Sequence, residues 1–316
     1  ASDLDINANI TSDGAINWDA PRDILVGARI QTVAGTGSAI TLTADSEGNG
    51  AGGVLIEFGG QVDADGNATI TGSDGVNASF TANAGVEIDS DGANVQVLAD
   101  GNITIGDGAN APATSTTIIN GVVQAATTGG TIDITAEDDV TFGVDGDVLG
   151  VDGTVTVTAD SNGDANGSGG AVTMADGAII NAGSGTIDID ADENITLGSI
   201  QTTDNTGAAV AIDDANGGVV DGGGMDVDIV ADSASAVVTI TTATGIGDTG
   251  ANDAIETTVA TLNASVNGTG SIDINETNAI VLVDVDTNNG SIQVDAGGQL
   301  TATDVASTTD NDANDI

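Results

Sequence analysis

Gly130-Thr131-Ile132-Asp133-Ile134 decides how the whole chain is read, because the same shape returns as Gly153-Thr154-Val155-Thr156-Val157, Gly185-Thr186-Ile187-Asp188-Ile189, Gly270-Ser271-Ile272-Asp273-Ile274 and Gly290-Ser291-Ile292-Gln293-Val294. In each copy an aliphatic residue alternates with a polar one, the period-2 signature of a strand buried on one face. The glycine ahead of it punctuates the chain. A second shape, Asp139-Val140-Thr141-Phe142-Gly143 and Asn194-Ile195-Thr196-Leu197-Gly198, follows two of these copies after an acidic turn. Asn102-Ile103-Thr104-Ile105-Gly106 reads as an earlier instance of it. Strands this short are unstable alone, so the copies must find partners in one another.

Working outward to the N-terminal region, Leu4, Ile6 and Ile10 recur twenty residues later as Ile24, Val26 and Ile30, while Ile16 and Trp18 recur after twenty-four as Ile40 and Leu42. A turn of about twenty residues carrying two or three strands predicts stacking in which each strand pairs in parallel with its counterpart one turn on, and each inward Ile or Val rests on another. The expected fold class is all-β: a parallel β-helix, or β-solenoid, running as one continuous unit over residues 1–316 in about fifteen turns, with loop insertions. The irregular stretches 46–53, 106–117, 161–170, 198–207 and 245–253 read as loops leaving the coil, and no shift of composition marks a linker. Neither end carries a polar or amphipathic cap, and Asn314-Asp315-Ile316 resembles the start of a strand. The expectation is a segment of a longer repetitive chain, or a subunit that self-associates end to end or laterally, because an uncapped solenoid end exposes core and unpaired backbone.

Composition agrees with a thin aliphatic core. The 316 residues include three Phe, one Trp and no Tyr, too few to supply the aromatic area of an ordinary globular core. Of 49 acidic residues only 7 are Glu, so the charge is nearly all Asp, a turn former and a poor helix former. Without His or Cys there is no Ser-His-Asp or Cys-His nucleophile, no usual zinc site and no thiol chemistry. The net charge of -47 opposes nucleic acid and anionic membranes, and no apolar run reaches the roughly 18 residues of a spanning helix. Partners are expected to be cationic or bridged by cations.

Acidic turns offer hard oxygen ligands of the kind calcium takes. Asp63 and Asp65, Asp89 and Asp91, and Asp190 and Asp192 are the candidate calcium ligands, with Asp284-Val285-Asp286 as a further acidic pair. None sits in a complete EF-hand loop, and isolated Asp and Asn are also ordinary turn residues. Paired carboxylates could hydrolyse glycosides, but in so acidic a chain such pairs arise by chance and sugar-stacking aromatics are nearly absent. Trp18, the one candidate platform, falls in the inward series of Ile16, Ile40 and Leu42. Thr154, Thr156 and Thr158, with Thr239 and Thr241, suggest an ice-binding ladder. Turn lengths look too irregular for one flat face, and Thr is a good outward strand residue in any case. No catalytic residue and no cofactor other than calcium is expected.

One resemblance adds to this reading. The alternation of Ala8-Asn9-Ile10-Thr11-Ser12-Asp13-Gly14-Ala15-Ile16, and above all the run from Gly245-Ile246-Gly247 through Ala254-Ile255-Glu256-Thr257-Thr258-Val259-Ala260-Thr261-Leu262-Asn263-Ala264-Ser265 into Gly270-Ser271-Ile272-Asp273-Ile274, resembles the repeats of filamentous-haemagglutinin-like bacterial surface proteins. The resemblance implies a right-handed β-helix, export to the cell surface and service as an adhesin stalk or fibre. This chain is more acidic than such repeats need be. The expected function is therefore an extracellular structural or adhesive rod, non-catalytic, that meets cell-surface or matrix polymers through cations. A polysaccharide-acting β-helix enzyme is the first alternative and an ice-binding surface protein the second.

Overall fold

The computed structural model of the chain describes residues 3–35, 37–44, 46, 51–56, 60–74, 84–88, 96–99, 103–107, 114–161, 169–224, 226–247 and 254–309. Regular structure among them is entirely strand, and no helix is long and apolar enough to cross a membrane. Leu4–Ile6, Ile10–Ser12 and Ile16–Asp19 enter three different sheets, and the next round, Ile24–Val26, Arg29–Thr32 and Ile40–Thr43, lies on them in the same order. The sheets hold 9, 12 and 14 strands. Pairing is parallel throughout the described strands, except where Ala51–Gly52 runs antiparallel to Ser73 and Asp74. The chain is a β-solenoid.

The register is the one that the alternation predicts. Leu4 lies on Ile24, Ile6 on Val26, Ile10 on Ile30, Ile16 on Ile40 and Trp18 on Leu42. In the largest sheet one inward column runs Ile16, Ile40, Ala68, Ile103, Ile132, Val155, Ile187, Val210, Val238, Leu262 and Leu282. All of these are buried. Each fully buried Ile or Val side chain stabilises the fold by about 1.5–3 kcal/mol relative to exposure. Because every residue of the column touches its counterparts above and below, that gain accumulates along the axis.

Turn length departs from the expected twenty. Following the pairing from Ile16 to Ala302, eleven steps cover 286 residues, a mean of about 26, with single steps from 20 (Leu282 to Ala302) to 35 (Ala68 to Ile103). The path therefore has twelve layers in place of fifteen. Extra residues leave at the corners, where they disturb no ladder. At about 4.8 Å per layer the stack is about 55 Å long. The strand Ile280–Thr287 absorbs one residue internally: Leu282 pairs with Leu262 and Asp284 with Asn263, so Val283 is left over as a bulge.

Two sequence readings change at the level of the faces. Ile132, Val155 and Ile187 stack in the largest sheet, whereas Ile272 and Ile292 of the same pentapeptide shape belong to the 12-stranded sheet. Ile103 stacks on Ile132, so the copy at 102–106 belongs with the first shape and not with Val140 or Ile195, which lie in the 9-stranded sheet. Of the stretches read as loops, 198–207 contains the strand Ser199–Gln201, paired to Ile179–Asn181 and to Ile229–Ala231. Stretch 245–253 includes Ile246, which bridges Val219 and Ile272.

The glycine that opens the pentapeptide has a packing reason. A Cβ on Gly153 would press on the carbonyl of Gly130, and one on Gly185 on the carbonyl of Gly153, each nearer than the 3.0 Å that real Cβ atoms respect. Successive layers touch through their backbones there.

Candidate functional site

The outer face of the largest sheet presents the polar half of the alternation in register. One rank reads Asn17, Thr41, Thr69, Thr104, Asp133, Thr156, Asp188, Ala211, Thr239 and Asn263. Turn length varies at the corners while these strands stay in register, so the rank is continuous from Asn17 to Asn263. The rank mixes hydroxyls with carboxylates. Burial pushes the Asp133 carboxyl up, and Asp190 is raised by burial together with the charges of Asp188 and Asp213.

The candidate calcium ligands fall in separate environments. Asp63, on Gln61–Ala64, forms an ion pair with Arg29, and Asp65 accepts hydrogen bonds from the amides of Gly35 and Gly37. Asp89 and Asp91 lie outside the described residues. Asp190 stacks between Thr158 and Asp213 on the outer face. Asp192 is buried at the following corner and accepts from Asn216 Nδ2 at 2.5 Å.

The carboxylates that do converge are others. Asp221 ends the strand Val219–Asp221, Asp228 directly precedes Ile229–Ala231, and Glu256 lies on Ile255–Val259; one oxygen of each lies within 4.8 Å of the others. Asp221 occupies an inward column. Leu197 pairs with it from one layer below, and the column beneath contains Val26, Ile56, Ile119, Phe142 and Met174. Val219–Asp221 is also the final strand of the 9-stranded sheet, so this carboxylate stands where an apolar side chain would otherwise close the column.

Asp228 is 2% exposed and accepts a hydrogen bond from the Glu256 amide at 2.8 Å. Its carboxyl is pushed up to about 8, chiefly by burial and further by the charges of Asp221 and Glu256, against that amide. Glu256 is raised by burial and by Asp221. Its Oε2 is buried without a hydrogen-bond partner, while hydrogen bonds from the Asn275 and Asp228 side chains to its carboxyl act against the rise. Glu276, 1% exposed in the next layer, shows the usual arrangement: it accepts from Thr257 Oγ1 at 2.8 Å and from the amides of Val259 and Asn278 at 3.0 and 2.9 Å. Buried Asp23 has Arg22 and the Gly53 amide.

A surface cleft of about 280 Å³ reaches Asp228 and is also lined by Asp226, Asp176, Ser199 and Gln201. The trio can hold a shared proton or a hard cation. It has no thiol and no imidazole beside it, since the chain contains neither Cys nor His. The sequence did carry one sign of it: laid against Ile195-Thr196-Leu197-Gly198, Val219-Val220-Asp221-Gly222 puts an acid in the place of an aliphatic residue. Asp228 and Glu256 carry no such mark, because their meeting depends on how the chain is threaded between them. Comparison with protein-family models, curated proteins and solved structures gives no match to this chain.

Proposed function

We propose that the chain is a non-catalytic structural rod of a bacterial cell-surface fibre, filament or layer, working outside the cell. The observation that carries this reading is the parallel pairing of the largest sheet through twelve layers, broken in register only by the bulge at Val283 among the described strands on that path, with its aliphatic column. In such a stack the strands lie across the axis and their hydrogen bonds along it. A pull on the rod therefore loads many backbone bonds together, which suits a stalk or spacer. The surface supports the same reading. Forty-seven net negative charges over about 55 Å is about one per 1.2 Å, denser than duplex DNA at about one per 1.7 Å. Such a rod condenses counterions and repels its copies until divalent cations bridge them. A saline exterior supplies both kinds of ion.

Negative-stain microscopy of the purified chain, with millimolar calcium and with chelator, tests the proposal. Rods that associate end to end or side by side in calcium and disperse in chelator are expected. Isolated particles under all conditions, together with release of reducing sugars from a polysaccharide panel, would replace it with the enzyme reading.

A further inference from the structure

We infer that Asn267 is a site at which the folded chain modifies itself: its side-chain amide closes onto the backbone nitrogen of Gly268, and the ring so formed opens to isoaspartate or aspartate. The argument begins with the pair. An Asn followed by Gly is the least hindered pairing for this closure, because no Cβ shields the attacking nitrogen. The described residues contain four such pairs, Asn120-Gly121, Asn216-Gly217, Asn267-Gly268 and Asn289-Gly290. Sequence ranks them equally, and the fold does not.

Closure requires the Asn to turn about its Cα–C bond until the next nitrogen faces Cγ, with that nitrogen free of an acceptor. Asn216 fails on both counts: the Gly217 amide donates to Asp214 Oδ1 and Asn216 Nδ2 donates to Asp192 Oδ1, each at 2.5 Å. Asn120 and Gly121 alone join Thr116–Ile119 to Val122–Ala125, and both strands are paired to the next layer, so the torsions between them are fixed. Gly121 is also buried and accepts from the Asp147 amide at 3.2 Å. Gly290 is buried, and its carbonyl accepts from the Thr287 hydroxyl at 2.8 Å, which ties that turn to itself.

Asn267 differs. It is exposed, on the corner 267–271 between Thr261–Val266 and Ile272–Glu276. Among the described residues, neither its side chain nor the Gly268 amide has a hydrogen-bond partner. Only its own amide is anchored, to the Thr242 carbonyl at 2.8 Å, which leaves the following bond to turn.

The step balances with water alone. Gly268 N bonds to Asn267 Cγ, the Cγ–Nδ2 bond breaks, and the Gly268 amide proton leaves with Nδ2 as ammonia. Water then opens the succinimide at either carbonyl, and opening at the main-chain carbonyl routes the backbone through the former side chain. Isoaspartate thus lengthens the backbone by one methylene and adds a carboxylate. Gly268 and Gly270 rest on the carbonyls of Ala243 and Thr244 one layer below, so the longer corner disturbs that seating and conversion is expected to lower Tm. The inference concerns the folded chain and needs neither assembly nor an exterior location.

The test incubates the full chain, folded, in mildly alkaline water enriched in oxygen-18. Cleavage after Glu places each pair in its own fragment, 88–137, 194–256, 257–276 and 277–316, so mass spectrometry follows all four in one digest. Fragment 257–276 is expected to exchange ammonia for labelled oxygen at least about tenfold faster than 194–256, the rate equivalent of about 1.4 kcal/mol for freeing one amide from a carboxylate. In denaturant the four rates should converge, which separates the effect of the fold from that of the sequence. Asn267→Gln, a change at an exposed side chain, should silence 257–276 and prevent the fall in Tm on ageing. Equal rates for the four fragments in the folded chain, label at Asn263 or Asn275 in place of Asn267, or an unchanged Tm after conversion would overturn the inference. Failure to form fibres would sink the rod and leave this site standing.

Discussion

Replacing Gly185 with Ala puts the backbone stacking of this solenoid under direct load. The new methyl would lie well inside 3.0 Å of the Gly153 carbonyl, and the neighbouring atoms are also backbone, so no side chain can swing aside. Relief requires the two layers to separate by about 1 Å at that corner, a large fraction of the ~4.8 Å layer spacing. The bond from the Val155 amide to the Thr186 carbonyl, 2.9 Å, lies in the disturbed segment, as does that from the Ile187 amide to Ala209, 3.0 Å. Losing or stretching one or two such bonds costs about 1 kcal/mol each, and strain of the overpacking kind adds about 1–3 kcal/mol. The expected destabilisation is therefore about 2–4 kcal/mol. Gly207→Ala is the control, because its Cβ would meet nothing within 4 Å and its φ is not positive, so the change should be neutral or stabilising by up to about 1 kcal/mol. Urea unfolding followed by far-UV circular dichroism, in 0.15 M NaCl, separates the two. Equal midpoints for Gly185→Ala and Gly207→Ala would refute the claim that layers meet through backbone at the pentapeptide glycine.

Ile134→Ala, in the middle of the column between Ile105 and Val157, should destabilise by about 2–5 kcal/mol, while Thr156→Ala on the outer face should stay within about 0.5 kcal/mol in the same unfolding assay. Stability should rise as pH falls from 7.5 to 5. Burial, with neighbouring charges, holds the carboxyls of Asp138 and Asp214 at about 6, so between pH about 4 and 6 the folded chain keeps protons that the unfolded chain has released. That stabilisation is lost as pH rises through about 6. Asp228, held at about 8 by burial, adds to the same trend, so Asp138→Asn, Asp214→Asn and Asp228→Asn combined should flatten the dependence of Tm on pH, measured at constant ionic strength. Tm should also climb between 10 mM and 0.3 M NaCl, because screening shortens the reach of self-repulsion among 47 net charges; a Tm indifferent to salt would contradict the charge argument.

Much of the architecture was legible in the chain because its physics is local. Alternation assigns each strand an inner and an outer face, and Leu4 to Ile24 or Trp18 to Leu42 could be paired from spacing alone. The acidic site was far less legible. Asp63 and Asp65 form a conspicuous acidic turn, yet the folded chain gives them Arg29 and two glycine amides. Asp221 shows in sequence only as an acid in an aliphatic place, Asp228 and Glu256 carry no mark, and the three meet only because two sheets adjoin where one of them ends.

Sequence by itself determined that the chain is all strand, that it coils with aliphatic residues inward, and that it has no nucleophilic His or Cys chemistry; these follow from side-chain type and period-2 sterics. Tertiary structure alone decided which face each strand joins, how long each turn is and which acids become neighbours. The pentapeptide at 130–134 and that at 270–274 show why: the two are nearly the same locally, but corner lengths summed over the intervening layers carry them to different sheets. In a closed coil, the position of a residue around the axis depends on every corner before it, and no short stretch of sequence contains that information.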